Sequence, residues 1–235
     1  MNTRALLILA ALMGCAPPTT EEAYQDFLDS FKGAPALEAQ ISMNAWLPID
    51  GGEPRLVQET TLNFNVAHPC YGQIQIRGRQ LRQADGALVW NDHWTGFLGT
   101  GSAVHGFDGL QQTVWEIGPS FESAGDSWPD LAPLKAWAGT KEKQPAQLAD
   151  ILGEDGSRIG FALDFENYQH RYLLDSDGNW TSGELLPIGQ YAKLLPRFEI
   201  GIPFLSLKKD ARADTYSAQI PKAYMKLSSP PDSSR

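Results

Sequence analysis

The sequence has few residues that could cross-link it, bind phosphate or cross a membrane. Two cysteines in 235 residues exclude a scaffold held by several disulfides. Basic residues are scarce: 19 lysines and arginines stand against 28 acidic residues, and the formal net charge of −9 disfavours nucleic-acid binding. No apolar run approaches the roughly 18 residues of a membrane-spanning helix. The 42% of apolar residues is typical of a globular protein.

Catalytic signatures are also missing. The sequence contains no Gly-x-Ser-x-Gly, His-Glu-x-x-His or Cys-x-x-Cys element, and no phosphate loop or dinucleotide fingerprint. His93 follows an aspartate and His105 precedes one by three residues, but no nucleophile accompanies them. We therefore expect no catalytic residue, no metal and no cofactor, with a secreted hydrolase as the least favoured alternative.

The first residues have the pattern of a secretory signal. Arg4 precedes nine apolar residues that end at Gly14 and Cys15. Leu12-Met13-Gly14-Cys15 resembles the lipobox of bacterial lipoproteins, in which the cysteine is acylated. The resemblance implies a signal peptide at residues 1–14, a lipidated Cys15 and a short tether over residues 15–18. The alternative is a plain signal peptide that ends near a cysteine.

The residue after the cysteine bears on the destination of such a lipoprotein. Ala16 stands where an aspartate would favour retention at the inner membrane. The lipobox resemblance thus implies the periplasmic face of the outer membrane, with the membrane as a partner through the lipid on Cys15.

One amphipathic helix precedes all the strands. Thr19 and Glu22 form a capping-box pattern, and Gly33 is a stop signal. Between them, apolar residues recur at the spacing of one buried helical stripe: Ala23, Tyr24, Phe27, Leu28 and Phe31. The sequence therefore predicts a leading helix that buries one face.

The chain then alternates polar and apolar residues with a period of two. About ten strands are predicted, the last at residues 198–207 and 215–220, joined by turns short enough for an antiparallel sheet. Residues 118–156 interrupt the series with two short predicted helices, at residues 130–139 and 145–152. The fold class is mainly β (α+β), with one domain over residues 19–227 and a disordered tail over residues 228–235.

This arrangement resembles the LolA/LolB lipoprotein-localisation superfamily over most of residues 19–227. The leading helix, the first strand and the terminal sequence Asp-Thr-Tyr-Ser-Ala-Gln-Ile-Pro-Lys at residues 214–222 carry the resemblance. It implies a curved antiparallel sheet that forms an incomplete barrel, capped by the leading helix and the inserted helices, with an apolar inner face that holds acyl chains. The lipobox makes the chain more similar to the lipid-anchored LolB arrangement.

The resemblance also implies candidate binding residues. Phe64, Phe161, Phe165 and Tyr172 alternate so that they could line a ligand cavity, or they could fill a solid core. Phe97 and Leu98, flanked by glycines, could form an exposed loop tip that contacts membrane or cargo, or they could tuck into the core.

The function expected from these features is that of a monomeric, lipid-anchored lipoprotein of the periplasm and outer membrane. It would bind acyl chains, lipoprotein cargo or another apolar ligand, and could take part in lipid or lipoprotein trafficking. The alternative is a structural or sensory envelope lipoprotein of the same fold, with a filled core and a protein partner.

Overall fold

The computed structural model describes residues 17–49, 52–85, 87–141 and 143–231. The predicted signal peptide and the predicted lipidation site, Cys15, lie outside the described residues. The last four residues of the predicted tail also lie outside them.

In the described part of the chain, twelve strands form one curved sheet whose two edge strands do not meet. The prediction of a mainly β fold with an incomplete barrel is therefore confirmed. The strands are β1 (Ala36–Leu47), β2 (Arg55–Ala67), β3 (Tyr71–Ala84), β4 (Ala87–Thr100), β5 (Val104–Asp108), β6 (Thr113–Gly118), β7 (Gln147–Leu152), β8 (Arg158–Asp164), β9 (Tyr168–Leu174), β10 (Trp180–Pro187), β11 (Arg197–Lys208) and β12 (Met225–Leu227).

Two antiparallel meanders meet at the middle of the sheet. Strands β1 to β6 follow one another outward on one side, and β7 to β11 return to pair β11 with β1. Strand β12 pairs with β6 in parallel. The prediction of a wholly antiparallel sheet is wrong at this one edge, because β12 reaches β6 after a long connection rather than a tight turn.

The leading helix, α1, spans Thr20–Lys32 and is confirmed with its cap. The Thr19 hydroxyl accepts a hydrogen bond from the Glu22 amide at 3.2 Å, and the Glu22 carboxylate accepts one from the Thr19 amide at 2.9 Å. The buried stripe is the predicted one, and Phe31 is almost completely enclosed. These contacts fix α1 against one face of the sheet, called here the inner face.

A second segment completes the cover of the inner face. A 3-10 helix at Phe121–Ser127 leads into helix α2 (Ala132–Ala138), which ends at Gly139 with a φ of 74°. The Trp128 indole donates a hydrogen bond to the Leu134 carbonyl at 2.9 Å, and the Trp137 indole donates one to the Ala34 carbonyl at 3.0 Å. Buried aromatic side chains thereby join α2 to α1 and the sheet.

The predicted helix at residues 145–152 is wrong, because this segment forms strand β7. Leu148 pairs with Leu163 of β8, and the Asp150 carboxylate binds the Arg158 guanidinium at 2.6 Å. A run of six to eight residues with three apolar positions fits the period of a helix and also that of a strand. The segment becomes a strand because β8 offers a free edge for pairing.

The predicted terminal strand at residues 215–220 is also wrong. A 3-10 turn occupies Ala213–Tyr216, and the chain then crosses the outer face of the sheet. There Ala218 and Ile220 pack on a small cluster of Leu98, Phe107 and Val114. Burial of this second apolar face replaces strand pairing, so the feature at residues 214–222 that carried part of the family resemblance has a different structure.

Candidate ligand-binding site

The predicted cavity residues do not surround one hollow. Phe64, Phe161 and Tyr172 are buried and packed against other aromatic rings. The ring centroid of Phe161 lies 5.3 Å from that of Tyr24 and 5.7 Å from that of Phe27. The middle of the inner face is therefore filled at these three positions, and only Phe165 of the four lines a cavity described below.

The predicted loop tip is wrong as well. Residues 96–101 are not a loop, since Phe97 and Leu98 lie within β4 and are only 5% and 3% exposed. Phe97 points to the inner core and Leu98 to the outer cluster, because neighbouring strand residues face opposite sides. The alternative, in which both side chains tuck into the protein, is the one observed.

An exposed apolar tip exists elsewhere, on the hairpin of β3 and β4. Leu88, Val89 and Trp90 are exposed there, and Leu88 is 51% accessible. The guanidinium carbons of Arg77 and Arg79 lie 4.3 Å and 4.8 Å from the ring centroids of Trp94 and Trp90. The Asp85-Gly86 sequence predicts a hairpin. No local sequence pattern predicts that β3 and β4 continue past the last pair of β3 with β2.

A cavity of about 800 Å³ forms a cleft at the end of α1, called here the α1 cleft. Its apolar wall consists of Phe31, Ala34, Trp180, Leu205 and Leu207. Its polar rim is formed by Asp29, Ser30, Asp177, Asn179, Ser206 and Lys209. The cleft thus combines an apolar wall that continues the core with a water-facing edge.

The α1 cleft opens where two neighbouring strands separate. Strands β10 and β11 pair only between Ser182–Leu185 and Phe198–Gly201, whereas β11 continues to Lys208. Within residues 143–231, no strand pairs with β11 on that side beyond Gly201. A bulge opposite Gln40 and Ser42 inserts an extra β11 residue next to Pro203, which lacks an N–H group. After the bulge, Leu205 and Leu207 face inward.

Polar turns hold the rim of the α1 cleft in place. The Asp175 carboxylate accepts hydrogen bonds from the Asn179 side chain and from backbone amides of the β9–β10 turn. These bonds, led by that of the Asn179 side chain, lower the pKa of Asp175. The predicted turn at Asp177-Gly178 is therefore a stable edge of the cleft.

A second cavity of about 500 Å³ lies beside α2 and is called here the α2 cavity. Asp130, Lys135 and Lys143 line it from α2 and its flanking residues, and Phe165, Asn167 and His170 line it from the β8–β9 turn and β9. Burial raises the pKa of Asp130, but the hydrogen bonds and charges of the two lysines outweigh it and hold this pKa below its usual 3.8. Burial lowers the pKa of His170 to about 4; Asp130 raises it, while Lys143 and Lys135 lower it.

The remaining histidine and thiol groups of interest are structural. His68 stacks on Trp137 with ring centroids 4.2 Å apart, and burial lowers its pKa. Cys70 is a buried free thiol whose pKa burial raises. Among the described residues, no three His, Cys, Asp or Glu side chains cluster in a way that could hold a metal ion. No helix of the described part is long and apolar enough to cross a membrane.

In the described part of the chain, these features define an incomplete β-barrel with a packed aromatic centre, the α1 cleft and the α2 cavity. No family model matches the sequence, and a search of curated proteins finds no match. Among solved structures, the crystal structure of LprF from Mycobacterium bovis is similar at 12% identity, over 89% of this chain and 100% of that chain, with a TM-score of 0.39. This likeness is too slight to assign a function.

Proposed function

We propose that the protein is a lipid-anchored lipoprotein of the bacterial envelope that binds an acyl chain or similar apolar ligand in the α1 cleft. The observation that carries the proposal is the cleft itself, with about 800 Å³ of space and an apolar wall. That volume lies in the range of about 300 to 1,000 Å³ typical of small-molecule sites. Transfer of an acyl chain from water to the half-buried side chains of Leu205 and Leu207 is favourable because it buries apolar surface.

The sequence around Cys15 supports the location. A lipid on this residue would anchor the protein at the periplasmic face of the outer membrane, and α1 begins only five residues later. A ligand or lipoprotein cargo at that surface would have a short path to the body. In this proposal the protein is a monomer, and it binds its ligand without a covalent step, a catalytic residue or a cofactor.

Native mass spectrometry of the full chain with Cys15→Ser, which cannot be acylated, tests the proposal with palmitate as the probe. We expect one bound palmitate per chain. Leu205→Asp should lower uptake at least tenfold, because it places an unpaired carboxylate in the apolar wall. Phe204→Asp is the matched control, since Phe204 is exposed on the same strand and outside the cleft.

The control and the variant also check folding. Both chains should show a cooperative melting transition before their palmitate uptake is compared. If the Cys15→Ser chain co-purifies with no lipid and takes up no palmitate, or if the two variants take it up equally, acyl binding in the α1 cleft is wrong.

A second candidate function is a structural or sensory envelope lipoprotein with a protein partner. The packed aromatic centre around Phe64 and Phe161 favours it, because a filled inner face needs no ligand for stability. The exposed tip at Leu88 and Trp90 offers a surface for contact with a partner. A chain that binds no palmitate but loses a partner after Leu88→Asp would support this candidate over the first.

A further inference from the structure

Two ammonium groups converge on one carboxylate in the α2 cavity. The Lys135 Nζ atom lies 3.0 Å from one oxygen of Asp130, and the Lys143 Nζ atom lies 3.0 Å from the other. The Lys135 side chain is only 7% exposed, so its charge is paired at a nearly closed position. Each ammonium has three N–H donors, and the contact with Asp130 uses one of them. Donors for a second anionic group therefore remain at the cavity wall.

The β8–β9 turn supplies further polar groups to the lining of the cavity. Asn167 lines the cavity, and its Oδ1 atom is buried without a hydrogen-bond partner among the described residues. A buried acceptor in this state is unfavourable, and a ligand donor would relieve the cost once the side chain turns this atom into the cavity. The neighbouring Glu166 carboxylate also lines the cavity. Asn167 and Glu166 therefore favour a ligand group that donates hydrogen bonds and carries positive charge.

The charged groups of the cavity are balanced and come from two segments of the chain. Asp130 and Glu166 offset Lys135 and Lys143, so the site has no formal net charge. The lining also includes an aromatic pair, in which the ring centroids of Phe165 and His170 are 4.5 Å apart. A purely anionic ligand would leave Glu166 and Asn167 without a partner, and a purely cationic ligand would leave the two lysines without one. A zwitterion would supply a partner to both sets of groups.

We propose that the α2 cavity binds a small zwitterion with an anionic group and a primary ammonium. Lys135 and Lys143 hold the anionic group, and Asn167 and Glu166 hold the ammonium. The volume of about 500 Å³ is ample for such a molecule. A free α-amino acid and a phosphoethanolamine headgroup both have this chemistry, and the experiment separates these two sources.

Isothermal titration calorimetry of the full Cys15→Ser chain with L-alanine and with O-phosphoethanolamine tests the site. Binding of L-alanine alone supports the site and identifies a free amino acid, and binding of O-phosphoethanolamine alone supports it and identifies headgroup chemistry. Lys143→Met and Asn167→Ala should each weaken binding by about ten- to a hundredfold, the loss expected for a hydrogen bond to a charged group.

Lys141→Met is the matched control, because Lys141 is an exposed lysine of the same connection that does not line the cavity. Its affinity should equal that of the parent chain. Lys143 is 68% exposed, so its substitution should leave the melting temperature unchanged while it weakens binding. The inference is overturned if neither probe binds at millimolar concentration, or if Lys143→Met and Asn167→Ala bind as tightly as Lys141→Met.

Discussion

His170 should make the protein less stable as the pH is lowered from 6.5 to about 4. It lies on β9 with its ring near Phe165 and Tyr172, and it faces the α2 cavity with Asp130, Lys135, Lys143 and Tyr168. Its pKa falls from 6.5 to about 4 in the folded chain, chiefly through burial. The unfolded chain therefore binds a proton near pH 6.5, whereas the folded chain stays neutral until about pH 4.

The sign and size of the effect follow from this difference. The stabilising contribution is fully present above pH 6.5 and is lost as the pH falls through the window toward 4. At about 1.4 kcal/mol for each pKa unit, the complete loss is about 3 kcal/mol. Between pH 7.5 and pH 4.5, we expect His170 to account for about 2–3 kcal/mol of the decrease in the free energy of unfolding.

Urea unfolding followed by tryptophan fluorescence at these two pH values measures the effect. His170→Gln removes the titrating group, so its stability should fall by about 2–3 kcal/mol less than that of the parent chain. The pKa values of His68 and His93 are also lowered, and they contribute equally to both chains. His105→Gln, on β5, controls for the loss of a histidine. The reasoning is refuted if His170→Gln shows the same decrease as the parent chain.

Three further substitutions and one control test the fold. Phe161→Ala removes a buried ring between α1 and the sheet and should lower the free energy of unfolding by about 3–5 kcal/mol in chemical denaturation; Leu88→Ala, at an exposed position, should change it by less than about 0.5 kcal/mol. Thr19→Ala removes the capping box and should cost about 1 kcal/mol, with fraying of α1 visible in hydrogen exchange; an unchanged exchange rate would contradict the cap. Tyr216→Phe breaks the 2.8 Å hydrogen bond to Glu38 and should accelerate hydrogen exchange in the segment that crosses the outer face, with a stability cost of about 1 kcal/mol at most; unaltered exchange would show that this bond does not hold the segment.

The elements with strong local signals could be predicted from the sequence. The capping box of α1 is complete in four residues, and its buried stripe repeats over three turns. Buried and more exposed residues alternate over Leu37–Ile41 of β1 and Thr60–Val66 of β2, so a one-residue slip would expose the apolar residues of these stretches. Local sequence is sufficient to predict a helix or strand when one face of that element must be buried over a long stretch.

The elements that failed depend on distant partners. Residues 147–152 become a strand because β8 offers an edge, and residues 215–220 leave the sheet because the cluster around Leu98 offers an apolar surface. The unpartnered Oδ1 atom of Asn167 and the bulge beside Pro203 are also tertiary features. A polar residue in a turn and a proline in a strand mark these positions, but neither reveals what lies opposite.

The α1 cleft and the α2 cavity have a common physical origin in the lengths of the helices and strands around them. Helix α1 has 13 residues and spans about 20 Å, and the seven residues of α2 span about 10 Å. Strand β11, which lines the α1 cleft, has 12 residues and spans about 40 Å. Helices of these lengths can fill the middle of the inner face with aromatic side chains, but they cannot cover its ends. The α1 cleft and the α2 cavity lie where the helical cover stops, so a packed centre and open binding sites can coexist in one incomplete barrel.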